Sequence, residues 1–316
     1  MLPYIAKRII AALVTALLCS VAVFLIIRAV PGDVVVQMLG QSGGAGAGVS
    51  EKALRSFFGL DQPVYRQYLD WLTGVLHGDF GRSWTQGRTV TSIVYEAFLV
   101  TLELGLATLA VATLIGVPLG MVAGIFEGQA IDNAIQAFNI LGLSAPVFWV
   151  GLMLLIGASA YFDWGPPIVY MAPDVSLGDN AAILLLPIAS LGLLQAAAYS
   201  QFVRQTVVST AHQEFVRTAV AKGLPVSKVY FKHILRNILI PLVTFMGLIL
   251  IQILGGVVVT ESLFALPGLG RLLITSIQAR DYPVVQGTLV LVVGVALVIN
   301  LVIDLLYHLI DPRLRT

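Results

Sequence analysis

Few residues in this chain are spaced for chemistry. The four histidines, His77, His212, His233 and His308, show no H-E-x-x-H spacing, and there is no G-x-S-x-G elbow, so neither a zinc hydrolase nor a serine hydrolase is indicated. The single cysteine, Cys19, lies inside an apolar run, which rules out an intrachain disulfide and a cysteine metal cage. No G-x-x-x-x-G-K-[ST] loop is present to cradle nucleotide phosphates, so ATP hydrolysis linked to this chain belongs to another polypeptide. The sequence therefore predicts no catalytic residue, no metal site and no cofactor of its own. What remains are ionisable groups within apolar runs, Glu103, Asp304 and Arg28, which are costly in hydrocarbon and so are either functional or close enough to an interface to reach water or pair locally. A proton relay needs carboxylates at mid-depth, and the third to fifth apolar runs supply none.

A different kind of site is suggested by the basic stretch "FVRTAVAKGLPVSKVYFKHILRN", Phe215 to Asn237, which lies between two long apolar runs. Thr210 and Gln213 have capping-box spacing, and Phe215, Val216, Ala219 and Val220 make one apolar face of a short helix. Gly223 suits a left-handed residue ending that helix, and Pro225 suits the first turn of the next. The second helix is expected to place Phe231, Ile234, Leu235 and Ile238 on one side, with Lys228, Lys232 and Arg236 as a basic stripe on another. Charge alone reads as a topology anchor resting on anionic lipid headgroups. An anchor, however, needs neither a glycine at a set place nor a second helix feeding directly into a span.

The elements that must hold this stretch are set by composition. Of 316 residues, 58% are hydrophobic and only 11% charged, against about 25% charged in soluble domains. The apolar runs suit helices of about 20 residues, not the alternating segments of a barrel. The fold class is all-α and polytopic, with six spans near 9–30, 98–122, 134–162, 182–203, 237–260 and 284–306. Gly116 with Pro118, and Gly142 with Pro146, are read as tolerated within their spans. The first run is longer than a signal-peptide core and is read as a retained helix. A net charge of +1 shows no nucleic-acid footprint.

Lys7 and Arg8, the basic residues from Arg204 to Arg236, and Arg313 and Arg315 all fall on one side of a six-span chain, which the positive-inside rule makes the cytoplasm. Both termini are then cytoplasmic. The organisation is an N-terminal helix over 1–30, an external region over 31–96, a five-helix membrane domain over 97–308 with its cytoplasmic loop at 210–236, and a tail over 309–316. Within the external region "GQSGGAGAGVS" is a flexible linker, and the following residues alternate amphipathic helix with turn signals at Gly59, Pro63 and Gly78. This region either braces the bundle or docks an external partner.

The stretch "RTAVAKG", Arg217 to Gly223, resembles the E-A-A-x-x-x-G loop of ABC-importer permeases. Arg217 replaces the usual glutamate and Thr218 the first alanine, while Ala219 and Gly223 fit; the downstream proline is Pro241, with Arg236 at its usual place. The segments "YIAKRII…FLIIRAVPGD", "GLDQPVYRQYLDWLTGVLHGDFGRSW", "TLELGLATLAV", "ESLFALPGLGRLLITSIQARDYPVVQG" and "NLVIDLLYHLIDPRLR" are similar, in order, to the dipeptide, oligopeptide and nickel branch of those permeases, where both departures are ordinary.

The resemblance implies a type I importer permease in a bacterial plasma membrane, working with a second homologous permease, two ATP-binding subunits that hold ATP and magnesium, and an external substrate-binding protein. The ATPase-coupling residues it implies are Phe215, Val216, Arg217, Thr218, Ala219, Val220, Lys222, Gly223, Lys228 and Lys232. Phe264, Pro267, Gly268, Gly270 and Arg271 are implied either to meet the binding protein or to form a re-entrant packing element at an outer gate. Peptides are the first substrate class, with nickel or another small solute such as haem as alternatives. A standalone ion-coupled carrier is the alternative of another class.

Overall fold

A computed structural model of the chain describes residues 2–29, 56, 61–225 and 228–310. The expected linker from Gly40, the turn at Gly59 and the tail from 311 lie outside the described residues. The helices are α1 (Leu2–Ala29), α2 (Val64–Leu76), α3 (Val90–Ile125), α4 (Ala130–Ser144), α5 (Val147–Phe162), α6 (Leu177–Ala211), α7 (Glu214–Ala221), a π-helix (Val229–Ile234), α8 (Leu235–Gly256), α9 (Val258–Leu263), α10 (Leu269–Gln278) and α11 (Tyr282–Ile310). Among the described residues, five helical stretches are long and apolar enough to cross a membrane, and the pair α4 and α5 makes a sixth if counted as one span.

That pair departs from the sequence reading. The third span is not one helix with a tolerated proline; it bends by 100° between α4 and α5. Pro146 has no N–H to donate and disfavours a helical conformation at the residue before it, and both Ala145 and Pro146 are extended. The second and fourth spans also run longer than the apolar runs that mark them. At about 1.5 Å per residue, the 36-residue α3 reaches about 54 Å, well beyond the hydrocarbon.

Contacts group the chain into two units, Met1–Leu99 with Arg271–Leu301, and Val100–Gly270 with Val302–Thr316. In the first, Phe24 of α1 is buried, with its ring 5.2 Å from that of Tyr68 and 5.7 Å from that of Trp71, both on α2. Ser20 and Tyr68 add a 2.9 Å hydrogen bond. Pro63 caps α2 at its N-terminus, and Gly78, in a left-handed conformation, follows its end, as those turn signals predict. The next loop is drawn onto the buried carboxylate of Asp281, which accepts from the hydroxyls of Ser83 (2.5 Å) and Thr85 (2.7 Å) and from the backbone N–H groups of Trp84 and Thr85. Four donors on one carboxylate leave the loop little freedom.

In the second unit α4, α5 and α8 pack on α6, and α9 packs on α5. Glycine sets how closely α3 can approach α6. A Cβ on Gly116 would lie 2.5 Å from the carbonyl oxygen of Ala196, and one on Gly120 would lie 2.5 Å from that of Ser200. Small residues of this kind let helix backbones meet where lipid supplies no hydrophobic drive between helices.

Candidate coupling site

The stretch 210–238 folds as a short helix hung between two long ones, with differences in detail from the sequence reading. Thr210 belongs to the last turn of α6 and is buried; the N-cap of α7 is Gln213, without a side-chain cap bond, so no capping box forms. The C-terminus follows expectation closely. Gly223 has φ +74°, its N–H donates to the Val220 carbonyl (2.9 Å), and the Leu224 N–H reaches back to the Ala219 carbonyl (3.3 Å). This pair of bonds is the Schellman arrangement, which needs a residue at ease in the left-handed region.

The expected apolar face of α7 is split. Val216 and Ala219 are buried at 6% and 7% exposure in this chain's own core, alongside Val207, Val229, Ile234 and Ile238, whereas Phe215 and Val220 are exposed at 38% and 58%. An eight-residue helix with apolar residues at 215, 216, 219 and 220 has an arc wide enough to face two ways. Arg217, Thr218 and Lys222 are exposed, and Arg217 pairs with Glu214 one turn earlier at 2.9 Å.

The second helix is not α-helical throughout, contrary to what the sequence leads one to expect. Val229–Ile234 is a π-helix, whose i→i+5 bonding puts Val229 and Ile234 on the same inward side. Phe231 is consequently 64% exposed and not part of the apolar face, while Ile234 and Ile238 are buried as expected. Lys228, Lys232 and Arg236 are all exposed, as the basic stripe predicts.

Behind α7 lies a contact the sequence does not advertise. Arg204 of α6 forks onto Asp132 of α4, Nε to Oδ1 at 2.6 Å and Nη2 to Oδ2 at 2.7 Å, and the Gly128 N–H donates to the same carboxylate at 2.9 Å. A hint was present in an acidic residue in the first turn of an apolar helix, but its partner is 72 positions away.

At the other end of α3, the turn after α9 encloses Glu261, which is fully buried. Its Oε1 accepts from the Thr101 hydroxyl at 2.6 Å, and the Thr101 oxygen accepts from the Leu269 N–H at 2.8 Å. A Cβ on Gly268 would fall 2.1 Å from Glu261 Oε1, and one on Gly270 would fall 2.6 Å from Val258 Cγ2. Phe264 is buried, and a Cβ on Gly151 of α5 would come within 3.1 Å of its ring; Pro267 is exposed and Arg271 half-buried. The expected turn followed by an amphipathic helix is present, with α10 starting at Leu269.

The chain is a polytopic helical protein with a short, glycine-ended helix between two of its long apolar helices. The sequence matches the family model of binding-protein-dependent transport system inner membrane components over residues 116–316, and the model of their N-terminal region over residues 1–105. The chain belongs to this family. It is 33% identical over 338 residues to the dipeptide transport system permease protein DppB of Escherichia coli and 36% identical over 315 residues to that organism's glutathione transport system permease protein GsiC, each alignment covering 100% of this chain and 99% of the relative. A di/tripeptide permease protein of Pseudomonas aeruginosa is 35% identical over 335 residues with the same coverage. Among solved structures, an inward-facing form of the MetNI methionine ABC transporter matches with a TM-score of 0.52 at 17% identity, covering 69% of this chain and 96% of that one, which shows the shared fold.

Proposed function

We propose that this chain is the transmembrane permease subunit of an ATP-driven importer of di- and oligopeptides, forming one half of the translocation pathway. The observation that carries the reading is the end-to-end similarity to permeases named for dipeptides, di/tripeptides and glutathione. These names favour peptides over nickel or haem, and a family defined by dependence on a binding protein disfavours a standalone ion-coupled carrier. The other half of the pathway would be a second, homologous permease. Two ATP-binding subunits would hold ATP and magnesium on the cytoplasmic side, where both termini of this chain lie, and an external binding protein would deliver the substrate.

In this reading α7 is the coupling helix. Val216 and Ala219 fasten it to its own core, leaving Phe215 and Val220 as the apolar contacts for an ATP-binding subunit, with Arg217 and Lys222 at the rim. Among the described residues Arg217 is paired with Glu214 in an exposed contact one turn away, worth little in water, so it can exchange Glu214 for an acidic group on the partner. Gly223 fixes the angle at which α7 leaves, and the π-helix with Lys228 and Lys232 leads its displacement into α8. Pro267 and the exposed edge of the α9–α10 turn would meet the binding protein, while Phe264, Gly268 and Gly270 pack that turn.

The test is purification of the tagged chain from its host, followed by reconstitution with what accompanies it. Co-purification of a second permease and two ATP-binding subunits, with ATP-dependent uptake of a labelled dipeptide when the binding protein is added, is the expected result. A chain that purifies alone and moves solute only down an ion gradient would overturn the reading.

A further inference from the structure

Glu103 takes no part in the coupling site, yet it is built into place. It lies on α3 toward the end of the bundle away from α7, and its Oε2 accepts from the Tyr170 hydroxyl at 2.7 Å and the Asn180 side-chain amide at 3.3 Å. Asn180 is buried at 4% exposure, and its amide nitrogen also donates to the Met171 carbonyl at 3.0 Å. Three pieces of chain, α3, the segment after α5 and the first turn of α6, therefore fix one carboxylate oxygen. Burial first, and then the bond to Glu103, push the Tyr170 hydroxyl well above the usual tyrosine range, so it stays a donor.

Glu103 is half-exposed, and among the described residues no cationic side chain lies within ion-pair distance of it. Between Asp163 and Asp179 the chain has no lysine, arginine or histidine that could swing across to it. A half-exposed carboxylate whose partners among the described residues are neutral is costly in hydrocarbon, so its open side suits water or a polar ligand. Two neutral donors on one oxygen orient the group without neutralising it, and its open side suits a cation with N–H donors.

We propose that Glu103 receives the α-ammonium group of a peptide entering the pathway, with Tyr170 and Asn180 holding the carboxylate in position. The proposal rests on the peptide-permease reading above. An ammonium is common to every peptide with a free N-terminus, so one carboxylate would guide passage without selecting side chains.

The experiment uses the complete reconstituted transporter. Cys19, the only native cysteine of this chain, is replaced by serine, and Glu103→Cys is probed with a membrane-impermeant cationic thiol reagent and its anionic counterpart. Both reagents are expected to react, since the carboxylate that would distinguish them has been replaced, with reaction slowed when dipeptide-loaded binding protein and ATP are added. In uptake assays Glu103→Gln is expected to lower dipeptide transport about tenfold, Tyr170→Phe less, and Glu103→Asp to restore part of the loss. A cysteine inert to both reagents, or a Glu103→Gln complex that transports at the wild-type rate, would overturn the proposal. A wild-type complex that moves no peptide would overturn the ligand together with the function, and that control is read before any variant is compared.

Discussion

Arg204 grips Asp132 through both carboxylate oxygens, tying the first turn of α4 to α6 two turns before α6 gives way to α7. The Asp132 side chain is 2% exposed and that of Arg204 18%. Removing either partner leaves a largely buried charge unmatched. Asp132→Leu or Arg204→Met alone should each destabilise the assembled protein by about 3 kcal/mol, read as a lowered unfolding midpoint of the purified complex. The double variant Asp132→Leu with Arg204→Met should recover much of that loss. Additive losses would mean the two residues act independently.

Gly223 tests the backbone by itself. A Cβ there would meet nothing within 4 Å, so only the φ of +74° opposes a side chain. Gly223→Val should strain the turn by at least about 1 kcal/mol, and Gly223→Asn, which tolerates the left-handed region, by less. Normal insertion is expected for both variants, with a fall in transport-coupled ATP hydrolysis for valine that exceeds that for asparagine. Equal coupling in the two would count against the turn angle.

Gly268 is the opposite case, since its limit is space. Gly268→Ala drives a methyl into the Glu261 carboxylate, and overpacking of this kind costs about 1–3 kcal/mol. The variant should be less stable than Gly268→Ala combined with Glu261→Ala, which opens room. A single variant as heat-stable as wild type would show that the turn yields freely.

Asp281→Asn puts an amide where four donors converge, leaving at least one N–H or hydroxyl unsatisfied at a cost of about 1–3 kcal/mol. Limited proteolysis should then cut between residues 77 and 89 sooner than in the wild type. Unchanged cleavage would show that the loop is held by other contacts.

What was legible in the sequence was local. Gly223 could be read because a left-handed helix end depends on a residue and its immediate neighbours, and the basic stripe could be read because exposure of charge needs no partner. The direction of α7 could not. Periodicity places Phe215, Val216, Ala219 and Val220 on one arc, but only the packed core decides that Val216 and Ala219 turn inward. Phe231 was misplaced because an α-helical period was assumed where the chain adopts i→i+5 bonding. The bend at Ala145 and Pro146 was visible as a proline, though its 100° turn depends on α5 finding α6 and α9 to pack against. The pairs Asp132 with Arg204 and Thr101 with Glu261 are 72 and 160 positions apart, beyond the reach of any spacing rule.

Docking of α7 on an ATP-binding subunit through its exposed side is read out by photo-crosslinking. Benzoylphenylalanine would replace Phe215 or Val220 in the native complex, with Leu76 of α2, 78% exposed, as control. A covalent adduct with the ATP-binding subunit is expected from positions 215 and 220 and none from 76. No adduct from either α7 position in a complex that still hydrolyses ATP would contradict it.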